Sequence, residues 1–224
     1  GEFRSYTMNS VVILIGVFLL TLFLGGVSAY LVSFYEFVGV NFFKYSLLMS
    51  FAIPPYIYAY TLSAFFENFG IAYSLVSFFS EDLSKTLIPK IEPLSGSIIS
   101  LSLTLFGYVF ILTRSTFLNQ SRDLIEVGKS LGFNNIDTFL KIIIPTARPA
   151  IFIGLSLVAM ETLSDFGTVS FFGVSTYTTG IYNSWFIFDD LKTANFLSLF
   201  LIFFFLFFFG LESISRKNIK FFNS

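Results

Sequence analysis

The sequence contains no cysteine and no histidine. Those two absences exclude disulfides, thiolate nucleophiles, imidazole bases and the usual zinc ligands. Charge is scarce as well. Only 12% of residues are Asp, Glu, Lys or Arg, half the roughly 25% of a soluble domain. A net charge of -1 offers no basic surface for nucleic acid. No glycine-rich loop is built to cradle a phosphate. An intramembrane enzyme using Glu161 and Asp165 would lack both a His base and a nucleophile elbow. The chain is therefore read as a non-enzyme that binds no cofactor of its own. It starts at Gly1, and no basic stretch precedes a short apolar run and cleavage site. No signal peptide is expected, and a further segment upstream is.

What the chain does have is apolar surface. It is 55% hydrophobic, with a mean hydropathy of +0.81, the composition of an integral, multi-pass membrane protein. The 34 phenylalanines reflect Phe, Ile and Asn replacing Leu, Ala and Gly throughout, as AT-rich coding favours. A spanning helix needs roughly 20 mostly apolar residues. Five stretches qualify: about 10–31, 45–66, 96–117, 149–168 and 195–214. Pro54 and Pro55 should kink or break the second, because proline removes a backbone donor and clashes with the preceding turn.

Orientation follows from Lys and Arg. The connection 114–148 carries Arg114, Arg122, Lys129, Lys141 and Arg148, and the tail carries Arg216, Lys217 and Lys220. The connections 67–95 and 169–194 lean acidic. The basic insert and the C-terminus are thus expected in the cytoplasm, and the other two connections outside. Within 67–95 the run "IAYSLVSFF" suggests an interfacial helix.

The basic insert, "EVGKSLGFNNIDTFLKIIIPTARPA", reads as two short helices. Ser121 can cap the first, with Asp123 in its first turn. Gly132 can end it in a left-handed conformation. Asn134 or Asn135 can start the second, with Asp137 in its first turn, and Pro145 is expected to stop it near Ile144. Leu124, Val127 and Leu131, then Ile136, Phe139, Leu140 and Ile143, recur at helical spacing. That apolar face can pack on the spans or dock on a partner. The insert could equally be a plain connection, while tethering between spans and weak charge disfavour a DNA-binding hairpin.

The insert resembles the coupling motif of ATP-binding-cassette importer permeases: "EAA", three residues, Gly, nine residues, "I-x-L-P". Glu126, Gly132, Ile142 and Pro145 fall on its positions; Val127, Gly128 and Ile144 depart from it. Gly128 should loosen the first helix by about 1 kcal/mol relative to Ala. The stretch "METLSDFGTVSFFGVSTYTTGIYNSWF", Met160–Phe186, and "AIPPY", Ala52–Tyr56, resemble iron(III) importer permeases. The resemblance implies an all-α, type I (MetI-like) transmembrane domain of about five spans. It also implies a cytoplasmic coupling hairpin over 119–148 and an outer connection over 67–95. Such permeases pair two similar halves, and residues 1–224 hold one motif, so they are similar to the N-terminal half of a longer permease. The implied partners are a cytoplasmic ATPase dimer that holds the ATP, a periplasmic iron-binding protein, a second permease half and the bilayer of a bacterial inner membrane. Thiamine, sulfate, molybdate, a sugar or a polyamine are alternative cargoes within the class. An ion channel or secondary transporter is the alternative outside it.

Glu161 and Asp165 lie four apart and late in the fourth expected span, so they would share a helix face, with Thr168 near the same stripe. Ionisable groups inside a span mark a pathway or a structural pair. Carboxylates suit a hard cation, but two could hold one only in passing. The Gly/Ser/Thr-rich stretch 169–182 reads as a flexible outer loop, a gate or a docking face. Tyr182 and Trp185 read as interface anchors.

Overall fold

The computed structural model describes residues 2–67, 70–78 and 88–219, with side chains for all of these but 120–125, 211, 212 and 214–219. The chain is helical: α1 (Glu2–Phe34), α2 (Val40–Ser46), α3 (Pro55–Phe66), α4 (Ile71–Ser77), α5 (Pro93–Ser130), α6 (Asn135–Thr138), α7 (Ile144–Ser164), α8 (Gly167–Phe171), α9 (Tyr177–Tyr182) and α10 (Leu191–Ile219). Among the described residues, four helical segments are long and apolar enough to cross a membrane: Glu2–Phe34, Pro93–Asn119, Asn135–Ser164 and Leu191–Gly210. Of these, 61% of the third expected span's apolar window is buried against 11% for the last. α5 is thus wrapped by protein, while α10 presents its Phe-rich surface outward.

The second expected span is interrupted. A 3₁₀ segment, Leu47–Ala52, follows α2. Pro54 then takes an extended conformation (φ −59°, ψ 146°) and α3 restarts with Pro55 in its first turn. Proline suits a helix start, where its missing N–H costs nothing, and it pushes the residue before it out of the helical region. α3 has 12 residues, about 18 Å at 1.5 Å per residue, too short alone for a core of about 30 Å. In the connection 67–95 the run expected to be helical forms α4. Residues 68, 69 and 79–87 of that connection lie outside the described residues.

Two compact units make up the chain. The first comprises Gly1–Val17, Ala52–Thr104 and Thr162–Leu201. Its core includes Ile13, Val17, Leu101, Val169, Val174 and Tyr177. The Tyr177 hydroxyl lies 2.9 Å from the Thr7 hydroxyl, and the Tyr177 N–H donates to Ser10 Oγ at 3.3 Å. Asn9 Nδ2 donates to the Ser175 carbonyl at 2.8 Å. The start of α1 is stitched to the start of α9 through groups that lipid could not satisfy.

The second unit comprises Phe18–Phe51, Leu105–Glu161 and Ile202–Ser224. Ala29, Phe110, Phe117, Ile143 and Ala147 form its core, flanked by Tyr30, Phe34, Phe106 and Phe139. α1 and α5 meet backbone to backbone there. A Cβ on Gly25 would fall 2.7 Å from the Phe106 carbonyl oxygen and 2.9 Å from the Phe110 nitrogen. Small residues at such crossings replace the hydrophobic drive that lipid removes.

Candidate functional site

The basic insert folds as a tight helical hairpin, with boundaries that differ from expectation at both ends. α5 runs unbroken from Pro93 to Ser130. No separate helix starts at Ser121, because the third span simply continues; the Ser121 and Asp123 side chains lie outside the described residues. Gly132 ends α5 as expected, at φ +73°. Its N–H donates to the Lys129 carbonyl and the Phe133 N–H to the Gly128 carbonyl, each at 3.0 Å. This Schellman pair satisfies carbonyls the helix end leaves open. Asn134 then caps α6, accepting from the Asp137 N–H at 2.7 Å. Lys141 Nζ sits 2.9 Å from Asp137 Oδ1 and 5.1 Å from the Phe133 ring centroid.

Pro145 does not stop the second helix. Residues Phe139–Ile143 form a π turn, in which the Ile144 N–H reaches back five residues to the Phe139 carbonyl. The wider turn relieves the clash a proline ring makes with the carbonyl four residues back. The helix therefore passes through Pro145 into the fourth span. Ile142 sits in the π turn and Pro145 at the start of α7, both half-buried. Glu126 is exposed.

The apolar residues of the hairpin divide between two faces. Phe139 and Ile143 join the core. Val127, Leu131, Ile136 and Leu140 are 46%, 60%, 70% and 54% exposed. Two short turns pinned at both ends thus present four aliphatic side chains outward. A plain connection has no need of such a surface.

A second ordered segment follows α7, where the sequence left a flexible loop open. α7 ends at Ser164, so Asp165 lies beyond the helix and does not share a face with Glu161. Asp165 Oδ2 accepts from the N–H groups of Thr168 (3.0 Å) and Val169 (3.2 Å). Its Oδ1 accepts from the Thr168 hydroxyl at 3.1 Å. The Thr178 hydroxyl donates to the Asp165 carbonyl at 2.6 Å. Thr168 is fully buried. α8 closes with a second Schellman pair, Gly173 N–H to Ser170 and Val174 N–H to Val169, and a capping box between Thr176 and Thr179 opens α9. Tyr182 and Trp185 are exposed and each ring packs on Phe186.

Glu161 belongs to different surroundings. It is exposed, and the Tyr108 hydroxyl donates to its Oε1 at 3.4 Å. The Tyr108 ring is held edge-on to Phe51, centroids 4.8 Å apart. Among the described residues no three acidic side chains gather as a resident metal would need. The Gly128–Thr138 contact and the Thr176 box were missed in the sequence. The T-x-x-T spacing of Thr176 and Thr179 was the available signal for the box; nothing local announced the contact.

These features define a polytopic membrane protein with a helical hairpin between two spans that exposes four aliphatic side chains. Residues 21–220 match the family of binding-protein-dependent transport system inner membrane components. The chain belongs to that family, whose members are ABC importer permeases, transport components rather than enzymes. It is 26% identical over 190 residues to the Fe(3+)-transport system permease protein FbpB 2 of Haemophilus influenzae, covering 85% of this chain and 33% of that one. It is 24% identical to the probable sulfate transport system permease protein cysT of Chlorella vulgaris, over 77% of this chain and 62% of that one. It thus spans under two thirds of the length of either relative. The fold is similar to that of an amino acid ABC transporter (TM-score 0.65, 16% identity, 96% of this chain and 93% of that one). It is also similar to the MetNI methionine ABC transporter in an inward-facing conformation (TM-score 0.71, 11% identity, 96% and 95%).

Proposed function

We propose that this chain is a permease half that imports ferric iron, delivered by a periplasmic binding protein and driven by ATP on a separate cytoplasmic ATPase dimer. The observation that carries the coupling step is the hairpin. Glu126, Gly132, Ile142 and Pro145 keep the family spacing, and Val127, Leu131, Ile136 and Leu140 stand outward around a turn closed by its own hydrogen bonds. Closure of the ATPase pushes on this element, and α5 and α7, continuous with it, carry the movement into the spans. The basic residues around the hairpin favour a cytoplasmic side for it, and the family favours the inner membrane of a bacterial cell for the chain. A second permease half completes the route.

Cargo is the finer question, since the relatives include both iron and sulfate permeases. Glu161 favours the cation. An exposed carboxylate on a span attracts a hard, oxygen-seeking ion and repels a dianion. Glu161 lines the route, contacting the passing ion briefly, while Asp165 and Thr168 support it by holding the turn that follows α7. Sulfate is the second reading. Uptake of radiolabelled ferric iron and sulfate into cells expressing the whole system separates them. ATP-dependent iron accumulation supports the assignment; sulfate accumulation without iron overturns the cargo and leaves the permease class standing.

A further inference from the structure

Within the first unit, Ser10, Ile13, Thr162, Leu163, Val169 and Thr176 line a small cavity of ≈ 10 Å³, about the least that holds one water molecule. Three of the six bring hydroxyls, and all three are buried, with Ser10 at 7%, Thr162 at 6% and Thr176 at 6% exposure. The Thr162 hydroxyl is fully buried and has no hydrogen-bond partner in the protein. Several helical hydroxyls fold back on the carbonyl four residues earlier: Ser97 on Pro93 at 2.8 Å, Ser102 on Ile98 at 2.6 Å, Ser156 on Phe152 at 3.0 Å and Ser198 on Ala194 at 2.9 Å. Thr162 does not, and a buried hydroxyl left unpaired is costly. The hydroxyls of Ser33, Ser50, Ser100 and Thr113 are, like that of Thr162, buried without a partner, but of these five it is Thr162 that lines this cavity.

We propose that this cavity is a binding site for one ordered water molecule held by Ser10, Thr162 and Thr176. Ser10 Oγ accepts from the Tyr177 N–H at 3.3 Å, which leaves its own proton to donate to the water. The water's two protons then go to Thr162 Oγ1 and Thr176 Oγ1. Three partners match the usual number for a buried water. Such a bridge holds nearly as well as a direct hydrogen bond. It joins α1, the end of α7 and the cap of α9, so it fixes the turn around Asp165 against the first span. The site stands whichever cargo the permease carries.

Thr162→Val removes the hydroxyl and keeps the shape. In the purified, intact transport complex it should lower the apparent unfolding temperature by roughly 2–4 °C, because the water loses a partner. Thr162→Ser, which keeps the hydroxyl, should behave as the parent. If Thr162 were an unpaired hydroxyl beside a dry cavity, Val would be the better residue; an unchanged or raised temperature overturns the proposal. The parent complex gives the direct check. A high-resolution map should show a peak within hydrogen-bond distance of all three hydroxyls, and a map with no peak there also overturns it.

Discussion

Gly128 and Thr138 are packed so closely that a Cβ added to Gly128 would fall 2.4 Å from Thr138 Oγ1 and 2.5 Å from Thr138 Cγ2. The missing side chain lets the end of α5 lie directly against α6. Helix propensity alone makes Ala better than Gly by about 1 kcal/mol, so Gly128→Ala should stabilise a free helix. Here it should loosen the hairpin, because a real Cβ cannot approach so near. Amide exchange across 126–140 should speed up in Gly128→Ala. Gly128→Ala with Thr138→Ala should recover most of the protection, as expected for two residues that share one contact.

Gly132 is left-handed at φ +73°, and a β-branched side chain resists that conformation. Gly132→Val should leave the protein inserted in the membrane but disturb the turn. ATP hydrolysis by the assembled complex should then lose its dependence on cargo, and uptake should fall at least tenfold. Normal ATP-driven uptake in this variant would separate the turn from coupling.

Glu161 and Asp165 should respond differently to loss of charge. Asp165→Ala removes the acceptor for the Thr168 and Val169 N–H groups, an N-cap type of loss worth about 1 kcal/mol. It should lower thermal stability. Glu161→Gln keeps shape and a hydrogen-bonding oxygen beside Tyr108, so it should leave stability alone and reduce iron uptake. Equal uptake in Glu161→Gln and parent would remove this carboxylate from the route.

Asp190 offers a pH test. Its carboxylate accepts from the Thr193 hydroxyl and from the N–H groups of Thr193 and Lys192 at the start of α10. These bonds, the Thr193 hydroxyl foremost, hold its pKa below the ordinary 3.8. A lowered pKa means stabilisation that is present above the unfolded value and lost as pH falls through the folded one. Thermal stability should therefore drop on acidification below about pH 4 in the parent, and Asp190→Asn should lack that part of the drop.

The legible parts of this chain were those written in local chemistry. Long apolar runs gave four of the expected spans. Gly132 and Asn134 announced their turn because a left-handed glycine and a capping amide act within three residues. The second expected span was apolar enough, yet Pro54 and Pro55 broke it, as proline geometry demands. What stayed hidden depended on neighbours. Ser121 had the chemistry of a cap, but α5 was already helical when it reached that residue. Pro145 looked like a stop until the π turn at Phe139–Ile143 widened the helix ahead of it. Four-residue spacing put Glu161 and Asp165 on one face only while the helix lasted, and it ends at Ser164.

Cross-linking from the hairpin is the most direct measurement of coupling. Ile136 is 70% exposed at the tip of the element, and the chain has no native cysteine to interfere. Ile136→Cys in the complete transporter, treated with a short bifunctional thiol reagent, should join the permease to the ATPase subunit. ATP binding should change the yield, and the link should stop uptake. Labelling of Ile136→Cys by a membrane-impermeant thiol reagent from outside intact cells, or the absence of any ATPase cross-link in a transporter that still imports, would contradict a cytoplasmic coupling hairpin.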